Sequence, residues 1–592
     1  MKKILVLYMV STFALFLISS CNKGVLDTKP STEFGENDVW SDPSLAKAFV
    51  NNIYNNVPWG WDMTCLRVDE SRDRSDLDDF NMNNMLITSD NAGWGDWNGR
   101  YSSIRDCNVF LENIDKLAKT TALIDGKTIN DRLKGEVTFL RAWNYHLLVS
   151  YFGGVPLIKK SYLLTDDFSV ARDSYSDCVK FISDECDLAA SLLPDVNTGD
   201  ADGRATKGAA LALKSRILLY AASDLHNTSK FSGFSKPELL GYVGADRTAL
   251  WKAAKDAAKA VIDLGIYSLY KSTPSSASEA TKNYGDLFVV PKSNEDIFIR
   301  YFSLSAQKGV GMFEIYPNGW YGNGRNGLTN EMVDSYEMAD GTIFSRNNPE
   351  QALEPYKNRD PRFYSTCIYE GAVVRPRTAD LAVFDPIGVM QAGTWEKWDN
   401  ASNSMIKVYG LDTRNGVANS WNSNITGTGS RKYLNTSVPV SAVWQNNSDL
   451  TWRYFRYGEV LLNYAEACIE LGDDATARTY INMIRTRAAM PAVTESGAAL
   501  KARYRNERRI ELALEDQRFF DVRRWLIGPD AYHDMHGVTI TYKLNADHTT
   551  ATIPTIEPVK IMNGSWDEKA YFFPISRDEV NKNDKLIQNP GY

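Results

Sequence analysis

The run Tyr457-Gly458-Glu459-Val460-Leu461-Leu462-Asn463-Tyr464-Ala465-Glu466-Ala467-Cys468-Ile469-Glu470-Leu471-Gly472 carries its apolar residues at helical spacing. Leu461, Tyr464, Ala465, Cys468 and Leu471 fall on one face, because residues three and four apart share a side of a helix, and Gly472 supplies the stop. Ala477, Ile481, Ile484 and Ala488 repeat the pattern before Pro491, and a third helix is expected over about 498–515. The turns between these runs are short, which makes the helices antiparallel neighbours.

A matching block lies towards the N-terminus. Val137, Leu140, Leu147 and Tyr151 recur at the same period until Gly153-Gly154 and Pro156 end the run, and further helices are expected near 104–118, 174–192, 206–223 and 248–264. Between the blocks helical periodicity fades. Gly, Asn, Ser and aromatic residues dominate there, as in Pro317-Asn318-Gly319-Trp320-Tyr321-Gly322-Asn323-Gly324. Long irregular stretches in a compact protein are usually functional. The pattern predicts a mainly α protein: a helical scaffold over 36–270, an irregular ligand-binding lobe over 271–450, and further helices over 451–592 that complete the scaffold. Alternating Val538, Ile540 and Tyr542 predict a small hairpin near the C-terminus.

The first residues set the compartment. Met1-Lys2-Lys3 precedes an uncharged, mostly apolar run over 4–20 and then Cys21, the layout of a signal peptide over 1–20. Ser11, Thr12, Ser19 and Ser20 interrupt the run, which falls short of the roughly 18 apolar residues of a membrane span. Leu17-Ile18-Ser19-Ser20-Cys21 resembles a lipobox, making Cys21 the expected lipid anchor and 21–35, polar and containing Gly24 and Pro30, a tether.

With 592 residues, 43% hydrophobic and 24% charged, the chain has room for a large core. Its formal charge of −8 becomes about −10 once Lys2 and Lys3 leave, which excludes a nucleic-acid partner, since that needs a basic footprint. Cys65, Cys107, Cys178, Cys186, Cys367 and Cys468 form no C-x-x-C. Cys178 and Cys186 on one helix would stand about 12 Å apart, beyond bridging distance, and the sequence assigns no disulfide.

At Arg505-Asn506-Glu507-Arg508-Arg509-Ile510-Glu511-Leu512-Ala513-Leu514-Glu515-Asp516-Gln517-Arg518-Phe519-Phe520-Asp521-Val522-Arg523-Arg524-Trp525 the sequence resembles the SusD/RagB family of outer-membrane glycan-binding lipoproteins. Tyr457-Gly458-Glu459, Tyr151-Phe152-Gly153-Gly154-Val155-Pro156-Leu157, Phe573-Pro574-Ile575 and the ending Gln588-Asn589-Pro590-Gly591-Tyr592 carry the same resemblance across nearly the whole chain. It implies a scaffold of tetratricopeptide-like helix pairs with the lobe packed on it. It further implies a glycan ligand, a SusC-like TonB-dependent transporter as partner, a surface-exposed outer-membrane location through the lipid at Cys21, and binding without catalysis. A helical glycoside hydrolase or lyase, and a RagB-like peptide importer, are the alternatives.

Sugar rings offer flat C–H faces to aromatic side chains and hydroxyls to planar polar groups. Asn91-Ala92-Gly93-Trp94-Gly95-Asp96-Trp97-Asn98 sets two tryptophans among small and polar residues, and the resemblance places a platform aromatic at Trp94 or Trp97. Asn98 accompanies them. Trp320 and Tyr321 are expected to form a second wall, Arg72 and Arg74 a hydrogen-bonding fork, and Trp59 and Trp61 are weaker candidates. No catalytic residue, metal or cofactor is assigned. His533 and His536 read as loop histidines, and Asp76, Asp78 and Asp79 lack the calcium-loop spacing. In the 508–525 segment, Arg508 with Glu511 and Glu515 with Arg518 are expected to pair at i, i+3 in a structural role.

Overall fold

The computed structural model describes residues 36–58, 60, 64–72, 82–163, 165–303, 312–418, 424–438 and 448–592. The expected signal peptide and tether with Cys21, and Trp59, Trp61, Arg74, Asp76, Asp78 and Asp79, lie outside the described residues.

The principal helices are α1 (Pro43–Asn55), α2 (Trp97–Asn113), α3 (Ile129–Phe152), α4 (Tyr175–Leu192), α5 (Lys207–Ala222), α6 (Arg247–Ile262), α7 (Tyr457–Glu470), α8 (Asp474–Arg487), α9 (Gly497–Glu511) and α10 (Arg518–Arg524). Side-chain caps set several starts. Thr128 accepts from the Asp131 N–H at 3.1 Å, and Ser174 accepts from the Asp177 N–H at 3.0 Å, each satisfying a helix-end donor. α3 stops at Gly153, whose φ of +76° suits only glycine without strain.

Helices α3 to α6 pack in series, and α6 then packs on α7, which packs on α8. The stack is continuous even though the chain leaves it after α6 and returns at α7. A two-stranded sheet marks the neck: β1 (Asp296–Arg300) pairs antiparallel with β4 (Trp452–Arg456), Arg300 facing Trp452. Between them run the short helices and loops of the lobe, with the hairpin β2 (Thr394–Asp399) and β3 (Ser404–Tyr409). The predicted C-terminal hairpin forms as β5 (Met535–Tyr542) and β6 (Thr555–Met562), and β5 adds in parallel to β2. This hairpin, placed with the scaffold by the sequence reading, therefore joins the lobe's four-stranded sheet. The main core draws on every segment, from Trp40 through Phe298 and Trp320 to Leu586.

The 508–525 segment is a buried hub of ions, and its partners differ from the expected i, i+3 pairs. Glu511 takes Arg456 at 2.7 Å, with Arg487 and, from the lobe, Arg362; Glu515 lies between Arg456 at 2.6 Å and Lys432 at 2.7 Å. Arg508 pairs with Asp521 at 2.8 Å, and Arg518 reaches Asp69 at 2.8 Å. α9 ends at Glu511, so Glu515 and Arg518 never share a helix face. Burial alone would raise the Glu466 carboxyl, but Arg524, hydrogen-bonded to it, and Arg508 outweigh that and hold it down at about 2. Removing one partner from such a pair strands a buried charge, at a cost of about 3–5 kcal/mol. The hub thus ties lobe, N-terminal segment and stack together.

Candidate functional site

A cleft of about 670 Å³ opens where the stack, the neck and two N-terminal segments meet. Pro58, Gly60, Thr64 and Arg67 line it from one segment, Asn91, Trp94 and Asp96 from another. Trp143, His146 and Tyr151 of α3, Arg216 and Tyr220 of α5, Trp452 and Tyr454 of β4, and Asp516 and Phe520 complete it.

The 91–96 loop is held by its own polar groups. The Asn91 carboxamide accepts from the Thr88 N–H at 2.6 Å and donates to the Leu86 carbonyl at 3.0 Å. Asp96 caps α2 and takes the Arg100 guanidinium at 2.7 Å; Arg100 also donates to the Asn56 carbonyl at 2.9 Å and to Asn144 at 3.0 Å. Gly95 has φ +80°, and a Cβ there would stand 2.9 Å from the Phe152 ring, so side chain and backbone both demand glycine. Trp94, half-buried, receives the Arg67 guanidinium over its indole at 4.0 Å.

The cleft's charges are engaged. Arg216 forms a two-point pair with Glu459 at 2.7 and 2.6 Å, Arg453 binds Asp296 at 2.6 Å, and Asp516 accepts from the Thr64 N–H and hydroxyl at 2.9 and 2.7 Å. Burial, reinforced by the Arg216 charge, presses the His146 imidazole down to about 3, so it is neutral at physiological pH. Burial would raise Glu515, but Arg456 and Lys432 hold it below the usual carboxylate range and ionised. What remains for a ligand is stacking surface with hydrogen-bonding groups at its margin.

Of the expected site residues that are described, Trp94 lines this cleft, whereas Trp97, Asn98, Trp320, Tyr321 and Arg72 do not. Trp97 begins α2 and packs on Tyr101 and edge-on to Phe152, with centroids 5.0 and 5.1 Å away, anchoring the loop to α3. Asn98 is exposed on the first turn, outside the cleft. Trp320 is a correction. It has 0% exposure, with Arg377 3.7 Å over its ring and its indole N–H donated to the Arg375 carbonyl at 3.1 Å, so it has no face to offer. Tyr321 turns away with its hydroxyl on Asp380. Arg72 is a second correction: 1% exposed, it donates to the carbonyls of Leu66 at 2.9 Å and Ser71 at 2.7 Å, stapling its own turn rather than meeting a ligand. Arg67, Tyr151, Trp452, Tyr454 and Phe520 were not anticipated as site residues. The run Trp452-Arg453-Tyr454-Phe455 was the available signal, since aromatics on a neck strand must face either the core or a cleft. His533 precedes β5, and His536, within it, meets Glu331 at 2.7 Å.

A family model described as the SusD family matches residues 290–592, and one described as starch-binding, associating with the outer membrane, matches residues 26–219. The chain belongs to the SusD family. This SusD-family chain is similar to SusD-like protein P38 of Formosa agariphila, 21% identical over 560 residues, covering 89% of this chain and 92% of that one. A crystal structure of a SusD-like protein from Bacteroides fragilis is 27% identical, covers 95% of this chain and 100% of its own, and superposes with a TM-score of 0.71. A SusD-like carbohydrate binding protein from the same organism is 23% identical, covers 93% and 99%, and gives 0.68. The helical scaffold with short strands is thus the family's fold. Among the described residues no helix is long and apolar enough to cross a membrane.

Proposed function

We propose that this SusD-family protein is a non-catalytic glycan-binding lipoprotein whose cargo enters the Trp94 cleft. The observation that carries the reading is the half-buried indole of Trp94, with Arg67 over its ring, lining a cleft together with Tyr151, Trp452, Tyr454 and Phe520. The part of the indole that lines the cleft takes the C–H face of a pyranose, and the cleft's margin takes its hydroxyls. The likeness to the SusD-like carbohydrate binding protein from Bacteroides fragilis supports the ligand class.

Binding rather than turnover fits the carboxylates. A glycosidase needs one protonated acid beside one free carboxylate, flanking the scissile bond. Here Asp96 is committed to Arg100, Asp516 to Thr64, and Glu515 is kept ionised between Arg456 and Lys432. Anchoring through a lipid on Cys21, display outside the cell and delivery to a SusC-like TonB-dependent transporter complete the proposal; the outer-membrane description of the family model supports the location.

The test is calorimetry of the mature chain against neutral, acidic and peptide ligand panels, followed by product analysis after long incubation. Saturable binding of an oligosaccharide recovered unchanged is expected. New reducing ends or unsaturated sugars would establish an enzyme, and binding confined to the peptide panel would establish a peptide carrier.

A further inference from the structure

A groove of about 600 Å³ lies on the helical stack, between residues 267–273, which follow α6, and one side of α8. Thr479, Asn482, Met483 and Thr486 form its wall, because positions three, four and seven apart share a helix face. Tyr267, half-buried, supplies its aromatic surface beside the largely buried Tyr457, their centroids 6.4 Å apart and planes at 33°.

The groove's lining is unlike a solvated helix face. Such a face normally carries Lys and Glu. None of the ten lining side chains is charged, in a chain where 24% of residues are, and six of the ten are Ser, Thr or Asn. The cations of α8 are directed elsewhere: Arg478 donates to the Glu495 carbonyl at 2.9 Å, and Arg485 and Arg487 sit in the buried ion hub. Asn482 is set in place by exchanging hydrogen bonds with the Val493 backbone, accepting at 2.7 Å and donating at 3.3 Å. A carboxamide so held has one more N–H and one more lone pair to offer.

We propose that this groove is a second glycan site, specific for neutral sugars, separate from the Trp94 cleft. A charged ligand would find no counter-charge here. The Thr479 hydroxyl donates to the Ala475 carbonyl at 3.1 Å, and an apolar helix would cover the remaining hydroxyls and the Asn482 amide without pairing them. A neutral sugar matches both the tyrosine surface and the hydroxyl and amide rim. The inference rests on the glycan-binding reading above, and two sites on one chain would raise the affinity for a long polysaccharide above that for its short fragments.

Saturation-transfer NMR and calorimetry with maltohexaose and laminarihexaose, on the unaltered chain and three variants, test it. Trp94→Ala is expected to lower affinity about tenfold while leaving measurable binding. Thr479→Arg/Met483→Glu, at exposed positions, is expected to remove one class of site and leave the stronger. The combination is expected to abolish binding. Complete loss in Trp94→Ala alone would overturn the second site and leave the cleft reading intact. Binding that survives Trp94→Ala undiminished but vanishes in Thr479→Arg/Met483→Glu would overturn the cleft and leave the groove. An unaltered chain that binds neither sugar would overturn both for neutral glucans.

Discussion

The loops over 91–98 and 317–324 are alike in sequence and opposite in fate. Each sets tryptophan among glycine and asparagine, the composition of a display loop. In the first, Trp94 lines a cleft under Arg67; in the second, Trp320 is sealed beneath Arg377, which is itself clamped by Asp385 at 2.9 Å and Asp412 at 2.8 Å. The same interaction, a guanidinium over an indole, lines a cleft in one place, where the proposed function gives it a role in recognition, and packs the core in the other. Arg377, locked by two buried carboxylates, closes over the Trp320 ring as part of the core.

The contrast can be broken most forcefully at Trp320. Trp320→Ala is expected to destabilise the chain by about 3–5 kcal/mol, the cost of emptying a large buried aromatic site. Urea unfolding measures it, and a variant as stable as the parent would mean the ring is not packed as described. Gly95→Ala comes next, at about 1–3 kcal/mol, because alanine is strained at φ +80° and meets Phe152. The same variant should weaken glycan binding by shifting Trp94, which calorimetry would register.

Trp94→Ala should behave in the reverse sense to Trp320→Ala. About a tenfold loss of glycan affinity, worth about 1.4 kcal/mol, is expected with a smaller change in unfolding free energy. Equal losses of stability and affinity would dissolve the distinction between the two loops.

The smallest effects concern pH. His146, at about 3, stays neutral, so affinity should be flat between about pH 5 and 8, and a bell-shaped dependence in that window would contradict the cleft's electrostatics. The Trp320 loop should respond lower down. Burial would raise Asp385, but Arg377 and backbone N–H groups hold it below the ordinary aspartate value. A depressed carboxyl stabilises the fold above its unfolded pKa of about 3.9 and loses that contribution as pH falls further. Glu466, held at about 2, acts in the same direction, so thermal stability should decline as pH drops from about 4.3 toward 2.

Most helices were legible because their apolar period is local, although the helix expected near 104–118 runs instead over Trp97–Asn113, started by the Asp96 cap. α4, observed over Tyr175–Leu192, and α5, over Lys207–Ala222, fall within a residue of the spans expected from spacing. The closure of α6 onto α7 was not legible, since it depends on β1 meeting β4 across the whole lobe. The partners of Glu511 were hidden for the same reason: Arg362, Arg456 and Arg487 lie far apart in sequence, whereas the i, i+3 rule sees one helix. Loop composition set Trp94, which lines the cleft, and Trp320, which does not, on the same footing, because the carboxylates Asp385 and Asp412 that hold Arg377 over Trp320 are far along the chain. Arg72 misled in a similar way. An arginine in a polar stretch reads as a ligand fork, yet the backbone carbonyls it satisfies belong to its own turn.

Hydroxyl-radical footprinting of the mature chain, with and without a bound oligosaccharide, tests the central claim most directly, because it reads each tryptophan separately. Oxidation at Trp94 that is suppressed by the sugar, with Trp320 unreactive in both states, is the predicted result. Protection that falls elsewhere while Trp94 oxidises unchanged would contradict the account.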